Sequence, residues 1–342
     1  MVILTVSTIK DSVSNVERFV QRNVAGGVDH LIVFLDSEQP DVADFLDTQP
    51  TVTPVRTHRG WWRGDRPRLL NDRQSINSAL TARLLAWFDC VDWVFHVDGD
   101  EVVQLDRGRL AQIDPEWRVV GLAPLEVVSQ HHQDGEPIWF KAPLDRDQLV
   151  LLKTLGVIGK PSNRAYFRSH IRGKVGVRPA ADVQLSIHAA LDGAGEVLPA
   201  YLDPSLRVLH YESPSGEEFV RKWEALLASG TGVRQRPQRA SIGRALAALQ
   251  TLSLSPEEAR PFLMSLYERT TADDVETLRR LKLLEHVDPD AVTREPEQFP
   301  KGDLDRLRDA FHRVRQLPKR QFSPDRNGRD LTKLMTRTLR GI

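Results

Sequence analysis

Hydrophobic positions in the first hundred residues alternate between short apolar runs and segments of helical periodicity. Apolar runs rich in β-branched residues over 2–6, 30–36 and 52–55 predict three strands. Between them, apolar residues recur at helical spacing over 14–25, and a shorter helix is predicted over 41–46. This β-α-β-α-β order predicts an α/β fold whose mostly parallel sheet is flanked by helices.

Two helices in this region carry recognisable signals, a helix start in the first and a polar face in the second. The first is expected to begin at Ser14, because Ser14 and Glu17 have the spacing of a capping box. A longer amphipathic helix is predicted over 71–88. Its polar side groups three residues at helical spacing, namely Arg73, Gln74 and Asn77.

A fourth apolar run, 93–97, ends abruptly in three acids around a glycine. Asp98, Asp100 and Glu101 are so close in sequence that their charges repel unless a cation or a proton lies between them. Oxygen ligands at a strand end suit a hard divalent ion such as Mg²⁺ or Mn²⁺. The alternative is an acidic turn after a core strand, in which Gly99 supplies a positive φ.

The pattern changes after residue 230, where only helical periodicity is predicted. We therefore expect a catalytic domain over 1–230 and a helical C-terminal region over 231–342. The basic tail, 319–342, is expected to be solvated, with contact to an anionic membrane surface as the alternative. The predicted helices of this region span 242–252, 256–268, 272–284 and 303–317.

Composition excludes several classes of protein. The 342 residues are 40% hydrophobic and 27% charged with a formal net charge of +0, so no global field favours nucleic acid as a partner. The single cysteine, Cys90, excludes an internal disulfide. No apolar run approaches the roughly 20 residues that span a bilayer, and residues 1–6 resemble a strand rather than a signal peptide. The expected compartment is the cytoplasm.

Several short motifs occur in an order that resembles a known family. They are Lys10-Asp11, Asp36 after the second strand, Arg73-Gln74 with Asn77, Asp98-Gly99-Asp100-Glu101, Gly173-Lys174-Val175, His188, and His210-Tyr211. This set is similar to the family 2 glycosyltransferases of the GT-A fold, especially the subgroup related to family 92 with a D-x-D-E motif. The match covers roughly the first two thirds of the chain.

The resemblance implies a half-Rossmann-like core that binds a nucleotide-sugar donor and a divalent cation, Mn²⁺ or Mg²⁺. Asp98 and Asp100 match the positions that bind the metal and the diphosphate. His210 matches a late histidine that completes the metal site, and His188 is the rival for that place. Two motifs depart from the family pattern, since Lys10-Asp11-Ser12 replaces Lys-Asn-Glu and Pro214-Ser215 replaces Lys-Ser.

The resemblance also implies the donor-binding residues. Asp36 matches a residue that faces the nucleotide, and Lys10 and Asp11 match the loop that lines the base and ribose. Arg73 and Asn77 belong to the same set. From their charge, Lys174, Arg172 or Arg178 is expected to stabilise the leaving diphosphate through charge-assisted hydrogen bonds.

An inverting transfer needs a general base near the acceptor hydroxyl, and three acids are candidates. They are Glu126, Asp134 and Glu101, and the sequence leaves the choice among them open. The predicted function is transfer of a sugar from a nucleotide-sugar donor to a glycan or other hydroxyl acceptor. The alternatives are a nucleotidyltransferase, disfavoured because the loop at 7–12 has no glycine, and a non-catalytic sugar-binding or scaffold protein.

Overall fold

A computed structural model describes residues 1–228, 237–252, 254–291, 296–297, 299–323 and 329–341. The chain divides into two compact units, and it leaves the first unit and returns to it twice. The first unit comprises Met1–Ala123, Arg172–Val208 and Pro289–Ile342, and the second comprises Pro124–Ile171 and Leu209–Asp288.

The strands account for most of the apolar runs seen in the sequence. In chain order they are β1 (Val2–Ile9), β2 (His30–Leu35), β3 (Val52–Arg56), β4 (Val91–His96), β5 (Glu101–Leu105), β6 (Val119–Val127), β7 (Trp139–Lys141), β8 (Lys174–Val177), β9 (Gln184–Leu185), β10 (Ala190–Leu191), β11 (Tyr201–His210) and β12 (Leu284–His286).

Helices separate the strands in the first half of the chain and dominate its last third. In chain order they are α1 (Val13–Ala25), α2 (Pro40–Asp47), α3 (Arg59–Trp62), α4 (Leu70–Leu85), α5 (Arg107–Gln112), α6 (Arg146–Thr154), α7 (Asn163–Tyr166), α8 (Gly216–Ala228), α9 (Pro237–Thr251), α10 (Pro256–Thr270), α11 (Val275–Arg280), α12 (Lys301–Val314) and α13 (Arg329–Thr338). Within the described ranges, none of these helices combines the length and the apolar character needed to cross a membrane.

The sheet of the first unit contains four adjacent parallel strands. β1 lies between β2 and β4 and is parallel to both, and β3 is parallel to β2. β8 continues the sheet antiparallel to β4, and the first residues of β6 pair with β8. The predicted fold class, α/β with a mostly parallel sheet flanked by helices, is therefore confirmed.

Both faces of the parallel strands are buried, as expected for strands between two helical layers. Along β1, Leu4 packs in one hydrophobic cluster with Leu80 of α4, whereas Ile3 packs in the opposite cluster with Phe19 of α1. Successive side chains of a strand point to opposite faces, so one strand serves both clusters. This explains why the run has no polar alternation.

The last helices belong to the first unit rather than to a separate body. Leu307 and Phe311 of α12 are buried in the same cluster as Leu4, and Phe311 meets Phe34 of β2 edge to face at 5.8 Å between ring centroids. The predicted boundary at residue 230 lies outside the described residues.

The second unit contains antiparallel strand pairs and a helical cluster. Glu126 and Val127 of β6 pair with β7, and β7 also pairs with β12. Helices α8 and α10 pack through a cluster that contains Phe219, Trp223 and Tyr267.

Two details of the sequence prediction are wrong. The cap of α1 is Ser12 rather than Ser14, because Ser12 has extended backbone angles and its Oγ accepts a hydrogen bond from the Asn15 N–H. The helix predicted over 272–284 ends at Arg280, because Lys282 turns the chain with a φ of 55° and leads it into β12.

Gly26 caps α1 where the helix passes close to another strand. A Cβ at this position would lie 1.9 Å from the carbonyl oxygen of Val103. Because backbone on both sides must shift, Gly26→Ala is expected to lower the free energy of unfolding by about 1–3 kcal/mol. Chemical denaturation measures this change. Gly302→Ala in α12 is the control, since a Cβ there meets open space, and equal stability of the two variants would contradict the expectation.

Candidate active site

The carboxyl ends of the parallel strands carry most of the predicted donor-binding residues. Lys10 and Asp11 follow β1, and Asp36 follows β2. Asp98 lies two residues after the end of β4. These strands are adjacent and parallel, so their ends meet at one edge of the sheet, which is where open α/β sheets bind ligands. Lys10 is exposed, and Asp11 accepts a hydrogen bond of 2.8 Å from the Asn15 side chain.

Arg73 of α4 is paired with the acid at the end of β2. Its Nε and Nη2 donate to the two carboxylate oxygens of Asp36 at 2.7 and 2.5 Å. The side chains are only 2% and 6% exposed, and Arg66 adds a contact of 3.1 Å to the same carboxylate. Asp36 is thus held in a bidentate ion pair, and its predicted contact with the nucleotide stays a prediction.

The same face of α4 also reaches the ends of β4 and β1. Gln74 donates from Nε2 to Asp98 Oδ1 at 2.6 Å, and Asn77 donates from Nδ2 to Thr8 Oγ1 at 3.0 Å. One helix face therefore contacts the ends of β1, β2 and β4. Its three polar residues act at the sheet edge rather than in solvent.

The acidic motif forms a turn that is closed by two hydrogen bonds. The Glu101 N–H donates to the Asp98 carbonyl oxygen at 3.0 Å, and the Asp98 N–H donates to Glu101 Oε2 at 2.9 Å. The motif is therefore a turn, as the alternative interpretation held, but Gly99 does not adopt the positive φ predicted for it.

A buried lysine lies between the carboxylates of this turn. Lys174 Nζ is 2.5 Å from Asp98 Oδ2, 3.2 Å from Glu101 Oε2 and 3.5 Å from His96 Nδ1, and its side chain is fully buried. Burial alone would lower the pKa of Lys174, but the two carboxylates outweigh it and raise that pKa above its usual value. The three N–H donors of the ammonium thus face three acceptors.

His96 completes the surroundings of the lysine. Burial, followed by the charge of Lys174, lowers the pKa of His96 to about 4. The imidazole is therefore neutral near pH 7, which lets Nδ1 accept a hydrogen bond from the ammonium. Its Nε2 lies 3.8 Å from Asp98 Oδ1.

The donor set of the turn suits a hard divalent cation. The turn carries three carboxylates, those of Asp98, Asp100 and Glu101, and the Lys174 ammonium contacts two of them, Asp98 and Glu101. Each oxygen of Asp98 accepts one hydrogen bond, which leaves acceptor capacity on both. These residues fit Mn²⁺ or Mg²⁺, and the binding of either ion stays a prediction.

The remaining predicted residues are distributed over both units. His188 lies in the first unit, with its Nδ1 3.1 Å from the carbonyl oxygen of Gly173. His210 belongs to the second unit, with its Nδ1 2.7 Å from Ser169 Oγ. Asp134 is exposed in a turn of the second unit. The metal-binding role of either histidine stays a prediction.

Glu126 lies in a buried charge network of the second unit. Its Oε2 is 2.8 Å from Lys141 Nζ and accepts the Arg168 N–H at 2.7 Å, while its Oε1 accepts the Ser169 N–H at 2.6 Å. Lys141 is also paired with Asp273 at 2.9 Å. Burial would raise the pKa of Glu126, but Lys141 and Ser169 lower it to about 2. A carboxylate of such low basicity is a poor general base.

Sequence reasoning did not identify Lys141, Asp273 or His96 as members of these sites. Lys141 and Asp273 are more than a hundred residues apart, and no local pattern links them. For His96 a signal exists, because an ionisable residue inside an apolar strand, two positions before Asp98, indicates a buried polar partner.

Comparison with known proteins gives structural resemblances only. No family model and no curated protein matches the sequence. Among solved structures, HddC from Yersinia pseudotuberculosis shares 12% identity with a TM-score of 0.33, covering 66% of this chain and all of HddC. TarS 1–349 from S. aureus shares 11% identity with a TM-score of 0.32, covering 94% of this chain and 89% of TarS.

A third solved structure is the galactosyltransferase LgtC in complex with donor and acceptor sugar analogs. It shares 13% identity with a TM-score of 0.26, covers 53% of this chain and is matched over 58% of its own length. Similarity at this level carries no argument about activity, which has to be argued from the residues of this chain.

The contacts of Lys174 generate a stability prediction. Lys174→Met leaves the carboxylates of Asp98 and Glu101 close together without a buried cation, which is expected to cost about 3–5 kcal/mol of unfolding free energy. Urea denaturation at neutral pH measures the loss. The double variant Lys174→Met/Glu101→Gln removes one of the repelling charges and should recover part of it. Lys10→Met, at an exposed site, is the control. No loss in Lys174→Met would refute this account.

The pKa of Glu126 generates a prediction about acid stability. Because its pKa is about 2 in the fold against 4.5 as a free side chain, its ionised form stabilises the fold at pH values above 4.5. That contribution, on the order of 3 kcal/mol, is lost progressively as the pH falls from about 5 towards 2.

Urea denaturation at pH 6 and pH 3 measures this effect. Glu126→Gln is less stable than the wild type at pH 6 but should lose less stability between the two pH values, because residue 126 no longer titrates. Glu224→Gln, at an exposed position of α8, should lose as much as the wild type. Equal losses in Glu126→Gln and the wild type would argue against the buried ion pair.

Proposed function

We propose that the chain is a glycosyltransferase that moves a sugar from a nucleotide-sugar donor to a hydroxyl group of a glycan or another acceptor. One observation carries this proposal. The sheet edge of the first unit holds an acidic turn, Asp98–Glu101, beside polar side chains of α4. Carboxylates at the carboxyl ends of parallel strands are suited to a cation that binds phosphate.

The proposed donor site is assembled from residues of this edge. Asp98 and Asp100 would hold a divalent cation, and a bound Mn²⁺ or Mg²⁺ would stabilise the negative charge of the leaving nucleoside diphosphate. Lys10 and Asp11, beyond the end of β1, would contact the base and ribose.

Lys174 is better suited to positioning Asp98 than to contacting phosphate, because its three N–H donors already face protein acceptors. Arg73 likewise positions Asp36 through the bidentate pair. Asn77 supports the end of β1 through Thr8. In this proposal α4 and Lys174 hold the strand ends in the arrangement that the donor requires.

During transfer, the bond between the anomeric carbon and the phosphate oxygen breaks, and its electron pair remains on the diphosphate. The acceptor oxygen forms the new bond and loses its proton to a general base. Glu126 and Glu101 are buried and bound to lysines, whereas Asp134 is exposed and makes no side-chain hydrogen bond among the described residues.

The test is the double variant Asp98→Asn/Asp100→Asn. Hydrolysis of a nucleotide-sugar panel in the presence of Mn²⁺ or Mg²⁺ is expected to fall by about 100- to 1000-fold, because the charge that binds the cation is removed. In thermal-shift measurements the wild type should gain stability from nucleoside diphosphate plus metal, and the variant should not.

Asp89→Asn, at an exposed position outside the turn, is the matched control and should behave as the wild type. Full activity in the double variant would refute the proposal. Turnover of a nucleoside triphosphate with a sugar phosphate, in place of sugar transfer, would instead support a nucleotidyltransferase. No response to any nucleotide or metal would support a non-catalytic protein.

A further inference from the structure

Helix α6 of the second unit exposes apolar side chains on the side where a surface helix normally carries polar ones. Val150, Leu151 and Leu155 are 44%, 43% and 53% exposed, although they follow one another closely in sequence. Single exposed aliphatic residues are common on protein surfaces, but three neighbouring ones mark an interaction site more often.

The exposure follows from how α6 packs. Leu149 and Leu152 are buried in a cluster with Tyr166 and Phe167, which fixes the side of the helix that faces the protein. At about 100° per residue, Val150 and Leu151 then point away from that cluster. The outward direction is therefore set by the core contacts and not by a loose helix.

The end of α6 is held rigidly, so Leu155 keeps its place beside the other two. Gly156 has a φ of 77° and its N–H donates to the Lys153 carbonyl oxygen, while the Val157 N–H donates to that of Leu152. These two bonds form the glycine-dependent cap that commonly ends helices. The loop that follows returns to the core at Ile158.

Basic residues lie close to the apolar patch in sequence. Arg146, Lys153, Lys160 and Arg164 are exposed, and none of them forms an ion pair within the described part of the chain. Residues 145–164 contain these four cations and two acids, which is a formal charge of +2 in a chain whose net charge is +0. The segment is therefore locally cationic.

We propose that the surface formed by Val150, Leu151 and Leu155, with the four cations close to them in sequence, binds an anionic phospholipid bilayer. Aliphatic side chains flanked by lysine and arginine insert into the boundary between head groups and acyl chains, where apolar burial and attraction to anionic lipid act together. A stable dimer buries roughly 1,600 Å², which is far more than three side chains provide, so a second copy of the chain fits this surface poorly.

Charge distinguishes this surface from the exposed aliphatic residues of the first unit. Val197 and Leu202 are 68% and 76% exposed there, but acids flank them in sequence at Asp192, Glu196 and Asp203. An anionic bilayer would repel those neighbours. At α6, by contrast, four cations lie close in sequence to the exposed aliphatic side chains.

The test is co-sedimentation of the full chain with vesicles of phosphatidylcholine and phosphatidylglycerol in equal parts. We expect binding to these vesicles, weaker binding at high salt, and little binding to pure phosphatidylcholine. Val150→Gln/Leu151→Gln/Leu155→Gln should weaken binding by about tenfold or more, with a helix-forming residue kept at each site. Val197→Gln/Leu202→Gln is the matched control and should bind as the wild type.

Two further variants separate the sources of attraction. Lys153→Gln/Lys160→Gln/Arg164→Gln should reduce both the binding and its salt dependence. Lys333→Gln/Arg337→Gln/Arg340→Gln should leave binding nearly unchanged, because these residues lie in the basic tail and not in the proposed surface at α6. Circular dichroism and melting temperature check that each variant is folded.

The proposal is overturned if the wild type does not bind the vesicles. It is also overturned if the tail variant loses binding while the α6 variant keeps it. A third contrary outcome is a change in oligomeric state of the α6 variant in sedimentation velocity without lipid, because that would identify the patch as a contact between copies. None of these outcomes depends on glycosyl transfer, so they test this surface independently of the proposed function.

Discussion

Lys174 places its ammonium between the carboxylates of Asp98 and Glu101, in a part of the first unit from which solvent is excluded. Burial of a charge is costly unless an opposite charge and hydrogen bonds compensate it, and each of these three groups supplies that compensation to the others. Removing the lysine would set two acids against each other across a four-residue turn. The shape of the acidic turn therefore depends on this contact.

The sheet determines where the ammonium lies. Lys174 is the first residue of β8, which pairs antiparallel with β4 so that Gly176 is opposite Phe95. A Cβ at Gly176 would lie 2.4 Å from the Phe95 ring, so glycine leaves room for that ring against β8. Strand pairing, ring packing and ion pairing are thus parts of one arrangement. The register of β8 against β4 therefore determines the position of the Lys174 ammonium.

Helix α4 connects the same edge across three strands. Arg73, Gln74 and Asn77 contact the ends of β2, β4 and β1, and each uses a donor group that a core helix would not normally carry. These residues are buried, so their polar groups need partners, and the strand ends provide them. A polar face of this kind fixes the strand ends relative to one another without filling the edge with apolar side chains.

Much of this arrangement could be predicted from the sequence, because it follows from the pattern of hydrophobic residues and from the local spacing of polar ones. The apolar runs give the strands, and the spacing of residues 73, 74 and 77 gives the shared helix face. The partners could not be predicted in the same way. Lys174 meets Asp98 from 76 positions away, and Lys141 meets Asp273 across a still longer separation. Such contacts depend on the fold as a whole, since no local rule relates the two residues.

The buried charge networks of the two units differ in the residues that form them. In the second unit, Glu126 and Asp273 are matched by Lys141 and Arg168, so acids and bases balance. A balanced network satisfies its members internally and has no electrostatic need of a ligand.

In the first unit, Lys174 contacts two of the three acids of a turn that lies at the edge where parallel strands end. Carboxylate oxygens at such an edge suit a hard divalent cation. For this reason we propose the chemistry at the turn around Asp98 and a structural role for Glu126.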